Sequence, residues 1–155
     1  MERREFIALM GMAAAAMPSP AAAGVHAPDS IAGRLVGTWS FASSINIRSD
    51  GTTFDRWGAN PKGVFMFDSA GNYALIIAGS ESRVFGAKSF FAFGTYTVDE
   101  ASKLLTTNIE SCSATKLNGT VQNRIILSLT PKELKYSNPG AQHGSTAEVL
   151  WTRLG

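Results

Sequence analysis

The sequence predicts an all-β domain, an eight-stranded antiparallel up-and-down barrel entered through a short N-terminal helical turn. The run from Leu35 to Ile47 alternates with period two. Leu35, Gly37, Trp39, Phe41, Ser43, Ile45 and Ile47 stand on one face, and Val36, Thr38, Ser40, Ala42, Ser44 and Asn46 on the other. That pattern belongs to a strand buried on one side. Further short apolar runs follow at hairpin spacing, and no helical period is long enough for a parallel crossover. The final run, Trp151-Thr152-Arg153, ends in a cation. First and last strands are neighbours in a closed barrel, so Arg153 is expected to stack on the ring of Trp39 as a cation–π pair. An open sheet of this length would leave two apolar edges, which closure removes. A two-sheet sandwich is the alternative that strand number leaves open.

Residues 1–23 are expected to be a signal peptide. Arg3-Arg4 precede an apolar stretch, Phe6 to Met17, too short to span a bilayer, and Pro18 and Pro20 end it. Ala21-x-Ala23 is the preferred cleavage site, leaving Gly24 first; Val25-x-Ala27 is the other, with Pro28 after the cut. Arg3-Arg4-Glu5-Phe6-Ile7 resembles a twin-arginine export signal, with Glu2 where Ser or Thr usually stands; a general secretory signal is the alternative. No Cys lies near the cleavage region to carry a lipid anchor. The mature chain is expected to be periplasmic or secreted, without stable membrane insertion.

Residues 24–33 read as a linker and 34–155 as the barrel domain. Ser30 is placed to cap one turn from Ile31 to Leu35, plugging one end of the barrel. The first strand stops at Ser49-Asp50-Gly51-Thr52, a hairpin signal. Phe54 to Pro61 reads as irregular because of Gly58 and Pro61. Strands are then expected at 62–67, 73–78, 90–98, 104–110, 121–129, 134–137 and 146–153, with loops at 79–89, 111–120 and 138–145.

The 155 residues suffice for one domain with one sizeable core. The formal charge of +2 is small and the basic residues are dispersed, which is no nucleic-acid footprint. The single Cys112 cannot form an internal bridge. It reads either as a small buried hydrophobe or as a reactive thiol, with no basic neighbour in sequence to activate it.

Four blocks together resemble the bacterial lipocalin-like domain family. They are Leu35-Val-Gly-Thr-Trp39, Asp50-Gly51 with Trp57-Gly58-x-Asn60-Pro61-Lys62-Gly63, Phe93-Gly-Thr-Tyr-Thr-Val-Asp-Glu100, and Leu150-Trp-Thr-Arg153. Gly37, Trp39 and Arg153 carry the structural signature. The resemblance implies a compact barrel whose interior binds small molecules. The chain departs from the family at Thr106 to Ala114, where relatives often carry a His-x-x-Glu pattern and an aromatic-Pro pair.

The inventory for chemistry is thin. His26 and His143 stand apart, and no Cys/His cluster has metal spacing, so neither metal nor cofactor is expected. Polar residues within apolar strands are Tyr73, Tyr96, Asn108, Glu110 and Arg124. Glu110 with Arg124 or a tyrosine is the catalytic alternative, for an isomerase, cyclase or hydrolase. Glu110 and Arg124 facing solvent, or forming a structural pair, is the other reading. Excess aromatics at Phe65, Phe67, Phe90, Phe91 and Phe93 exceed one core face and point to a dimer surface or a binding mouth.

The leading expectation is a carrier. Tyr73, Leu75, Ile77, Phe91 and Phe93 would line an apolar cavity, with Asn108, Glu110 and Arg124 at the mouth holding the polar end of a small amphipathic ligand bound tail-in. An enzyme and a module with a filled core are the alternatives. Sequencing the N-terminus of the exported protein should return Gly24, or Pro28; an intact Met1 would overturn both the localisation and the domain boundary.

Overall fold

The computed structural model describes residues 26–79, 89–141 and 144–155. The expected signal peptide, most of the loop at 79–89, and His143 lie outside the described residues. The elements are α1 (Ile31–Leu35), β1 (Gly37–Ile47), β2 (Thr53–Phe54), β3 (Lys62–Phe67), β4 (Asn72–Ala78), β5 (Ser89–Asp99), β6 (Leu104–Cys112), a 3-10 turn (Thr115–Leu117), β7 (Val121–Leu129), β8 (Glu133–Ala141) and β9 (Ser145–Leu154). Every strand pair is antiparallel and follows chain order from β3 to β9. β9 pairs back onto β1 from Thr38↔Leu154 to Ile47↔Thr146, which closes an eight-stranded up-and-down barrel. The two-residue β2 sits beside the far end of β1, at Asn46 and Ile47.

β8 runs further than expected, through Pro139 to Ala141. β7 pairs with β8 only as far as Ser137, so Pro139 has a strand neighbour on one side alone. A residue without an N–H is tolerated there. β6 likewise continues to Cys112, whose buried thiol donates to the Ala114 carbonyl at 2.9 Å.

One end of the barrel is sealed by α1, and its short sequence is fastened at both ends. The Ser30 hydroxyl accepts from the Gly33 N–H at 3.0 Å, as its capping position predicts. The Glu100 carboxylate, on the turn between β5 and β6, accepts from the N–H groups of Ile31 (2.9 Å) and Ala32 (3.2 Å). Those N–H groups have no partner within the helix, and an anion suits its positive end. Ala32 and Leu35 are buried against the barrel.

Trp39 and Arg153 complete the seal. The Trp39 side chain is fully buried, and its indole Nε1 donates to the Leu35 carbonyl at 2.9 Å. The Arg153 guanidinium carbon lies 4.1 Å from the Trp39 ring centroid. The same guanidinium donates to the carbonyls of Pro131 (2.8 Å), Val36 (2.9 Å) and Arg34. Three parts of the chain are thus held by one side chain: the end of α1, the turn after β7, and β1. Gly37 makes this possible. It has φ +134°, and a Cβ there would lie 2.5 Å from Arg153 Nη1. The spacing Gly-x-Trp therefore leaves room for the cation that covers the ring.

Above this seal the barrel is filled with aromatic rings. Phe65 lies 4.2 Å from Phe67, 5.4 Å from Trp151 and 6.0 Å from Tyr73, centroid to centroid. Tyr96 packs edge-on against Phe67 at 4.9 Å, and its hydroxyl donates to the Asp68 carbonyl. Burial, with the Asp68 charge beside it, pushes the Tyr96 hydroxyl up to about 12, so it stays neutral.

Four bulges interrupt the pairings and bear on which way side chains point. In β1 the register against β9 shifts between Phe41 and Ser43. One extra residue there reverses the alternation, because side chains alternate with period two. Trp39 and Phe41 point inward, and beyond the bulge the even set turns in. Ile45, expected on the core face, is exposed, while Asn46 is fully buried. A second bulge lies between Phe93 and Gly94 of β5, opposite an extra residue, Glu110, on β6. The two backbones approach so closely there that a Cβ on Gly94 would sit 1.9 Å from the Asn108 carbonyl oxygen. The third lies between Ile126 and Ser128 of β7, and the fourth between Pro139 and Ala141 of β8.

Thermal or denaturant unfolding should register the seal directly. Arg153→Ala is expected to cost about 1–2 kcal/mol for the ring contact alone, with the lost hydrogen bonds in addition. Trp39→Ala should cost about 3–5 kcal/mol, since it also empties core volume. Stability unchanged in both variants would refute this account of closure.

Candidate functional site

The half of the barrel away from α1 is not filled. It contains a cavity of about 490 Å³, within the usual range for small-molecule sites. One wall is apolar: Leu75 and Ile77 from β4 and Phe90 from β5. The rest of the lining is mixed: Ser44 and Asn46 from β1, Gln122 and Arg124 from β7 and Asn138 from β8 are polar, while Ala147 and Val149 of β9, which lies between β8 and β1, are apolar. Arg56 and Trp57 reach it from the segment after β2. None of the described residues that line it is Asp or Glu.

Arg124 is the base of the cavity. Only 3% of it is exposed. Its guanidinium carbon stands 5.7 Å from the Phe65 ring and 5.5 Å from the Tyr136 ring, the top of the aromatic core. Nη1 donates to the Thr107 hydroxyl at 2.7 Å and Nη2 to the Gln122 side-chain carbonyl at 2.8 Å. Both are neutral acceptors. Nε has no hydrogen-bond partner among the described residues. Withdrawing a guanidinium from water costs several kcal/mol, and such a charge is ordinarily paired with a carboxylate. Two ring faces and two hydrogen bonds offset part of that cost, and an anion in the cavity would complete it.

Asn46 supplies a second incomplete group. Its amide nitrogen donates to the Ser145 hydroxyl at 3.0 Å, while Oδ1, fully buried, has no partner among the described residues. The β1 bulge is what brings it inside. At the mouth, Trp57 is buried and its N–H donates to Asp55 Oδ1 at 2.8 Å. Arg56 lies 5.2 Å above the Trp57 ring and is half-buried. Burial pulls its pKa below the ordinary arginine value. Its Nε also lacks a partner among the described residues.

The residues singled out from the sequence divide between the two faces of the wall. Tyr73, Leu75, Ile77 and Arg124 point inward. Leu75, Ile77 and Arg124 line the cavity, whereas Tyr73 packs in the aromatic layer beside Phe65. Burial pushes the Tyr73 phenol upward, with the Arg124 charge opposing, so it is not a ready base. Phe91 and Phe93 are 49% and 45% exposed on the outer face, which removes them from the lining. Their strand carries aromatic residues on both faces, and Phe90, Ala92 and Tyr96 are the inward set. Asn108 is also outside, donating to Thr95 Oγ1 at 3.3 Å. Glu110, the extra residue of its bulge, faces solvent. Glu110 and Arg124 therefore stand on opposite sides of the wall and form no catalytic pair. Arg124 is moreover at the base of the cavity and not at its mouth.

Residues that sequence reasoning missed are Asn46, Arg56, Trp57, Thr107 and Gln122, and Phe90 stood out only as one of the excess aromatics. Thr107 was available in the pattern, since Leu105 and Ile109 share its face. Arg56 and Trp57 carried no strand signal, and Asn46 depends on the bulge. Among the described residues no cluster of His, Cys, Asp or Glu could hold a metal ion.

No family model matches the chain, and no curated protein matches it. Among solved structures the chain is similar to a redesigned β-barrel, at 17% identity over 80% of this chain and 95% of that one, TM-score 0.48. It is also similar to a lipocalin-like protein from Bacteroides uniformis, at 14% identity over 79% and 100% of the two chains, TM-score 0.46. A third is bovine odorant binding protein in complex with a selenium-containing odorant, at 15% identity over 80% and 73%, TM-score 0.46.

The facing of β5 has a direct test in unfolding free energies. Phe90→Ala should cost about 3–5 kcal/mol as a core truncation. Phe91→Ser and Phe93→Ser should each fall within about 0.5 kcal/mol of the parent. The opposite ranking would invert the strand.

Proposed function

We propose that this protein is an exported carrier that binds a small amphipathic molecule with its acidic end at Arg124. The single observation behind this reading is a buried arginine that lines a cavity and has only neutral partners among the described residues. Burial of an apolar body against Leu75, Ile77 and Phe90 contributes about 25 cal/mol per Å². A carboxylate or similar anion at Arg124 adds charge-assisted hydrogen bonds in a site sheltered from water. The orientation is head-in, because Arg124 rests on the aromatic core while the apolar wall rises from it toward the mouth. The export part of the proposal is supported by Arg3-Arg4 ahead of the apolar Phe6 to Met17.

Calorimetric titration with decanoate and decanol tests the reading. Decanoate should bind more tightly than decanol. Arg124→Met should weaken decanoate by about 1.5–3 kcal/mol, the worth of a hydrogen bond to a charged group, and leave decanol nearly unchanged. Equal losses for both compounds would mean that Arg124 is only part of the wall, and no binding of either to the parent protein would overturn the reading.

A further inference from the structure

We infer that the preferred ligand is a dianion, with acidic groups at both ends of an apolar middle, spanning the cavity from Arg124 to Arg56. The inference rests on the carrier reading and adds the second charge. The cavity offers two guanidinium groups, one at its base and one at its mouth, and no described lining residue bears a negative charge. Each guanidinium has an Nε without a partner among the described residues. Neither Arg56 nor Arg124 makes a salt bridge to a described carboxylate; the pair found among described residues is Lys135–Glu148, on the outside. Two like charges sharing one low-dielectric space raise the potential throughout it, and a single anion at the base leaves the upper one uncompensated.

The arrangement between them suits a linear body. β7 climbs from Arg124 to Val121 at the mouth in three residues, about 10 Å at the rise of a strand. Leu75, Ile77 and Phe90 flank that height on the other side, and the Trp57 ring, carrying Arg56 above it, lies against the upper part. A chain of eight or so methylenes matches that height.

Decanedioate and decanoate, titrated calorimetrically into the intact protein, separate the possibilities. Decanedioate should bind about 10- to 100-fold more tightly, the range of one hydrogen bond to a charged group. Arg56→Met should bring the ratio of the two affinities to about one, Arg56→Lys should retain most of it, and added salt should reduce it because Arg56 is half-exposed. Using the ratio keeps the test valid if Arg56→Met also loosens Trp57. Equal affinities in the parent protein, or an unchanged ratio in Arg56→Met, would overturn the dianion while leaving decanoate binding, and with it the carrier reading, in place. Failure of both probes to bind the parent protein would overturn both.

Discussion

The stack of Arg153 on Trp39 is the contact on which the barrel depends. A ring of eight strands needs its first and last members joined, and hydrogen bonds between them hold register without closing the end. Trp39 fills the end from inside, and Arg153 covers it from outside while gathering carbonyls from α1 and from the turn after β7. Both partners come from the strands that meet at the seam. The cost is borne at Gly37, where the backbone takes a conformation that a side chain would oppose and the missing Cβ makes room for the guanidinium.

From that seal upward the barrel divides into two kinds of interior. The lower half is a contiguous set of rings, close-packed and without charge. The upper half is a cavity with one apolar wall, several amide side chains and two cations. Arg124 is the boundary between them, and its position explains why a guanidinium is tolerated at that depth: it rests on ring faces below and opens onto the cavity above. Support from the rings beneath and from Thr107 and Gln122 beside it fixes the orientation of the charge.

The seal was legible because it is written in the two residue types that carry it, at opposite ends of the strand pattern. Turn signals such as Asp50-Gly51 and the cap at Ser30 were legible for the same reason: the chemistry is local. The interior was less so. In β5, Phe90 and Phe91 are equally apolar, and only Ser89, Thr95, Thr97 and Asp99 on the outer set break the tie. In β1 the alternation continues unbroken in sequence across a bulge that reverses it in space, so Ile45 and Asn46 exchange the places their polarity suggests. Arg124 was legible as a polar residue in an apolar strand, but its depth depends on how the strands tilt and what fills the space beneath.

The seam between β1 and β9 joins residues 99 to 116 positions apart along the chain, from Ile47 with Thr146 to Thr38 with Leu154. Contacts of that separation are formed late, because a long loop must close before they stabilise anything. During synthesis the sheet from β1 to β8 has two unpaired edges until β9 emerges, and its inward apolar rows, including Phe65 and Leu75, are uncovered at the same time. Such an intermediate is prone to pair with another copy of itself. The window of exposure ends only when Arg153 arrives at Trp39, which makes the closing cation a determinant of how safely the chain folds as well as of how firmly it stays folded.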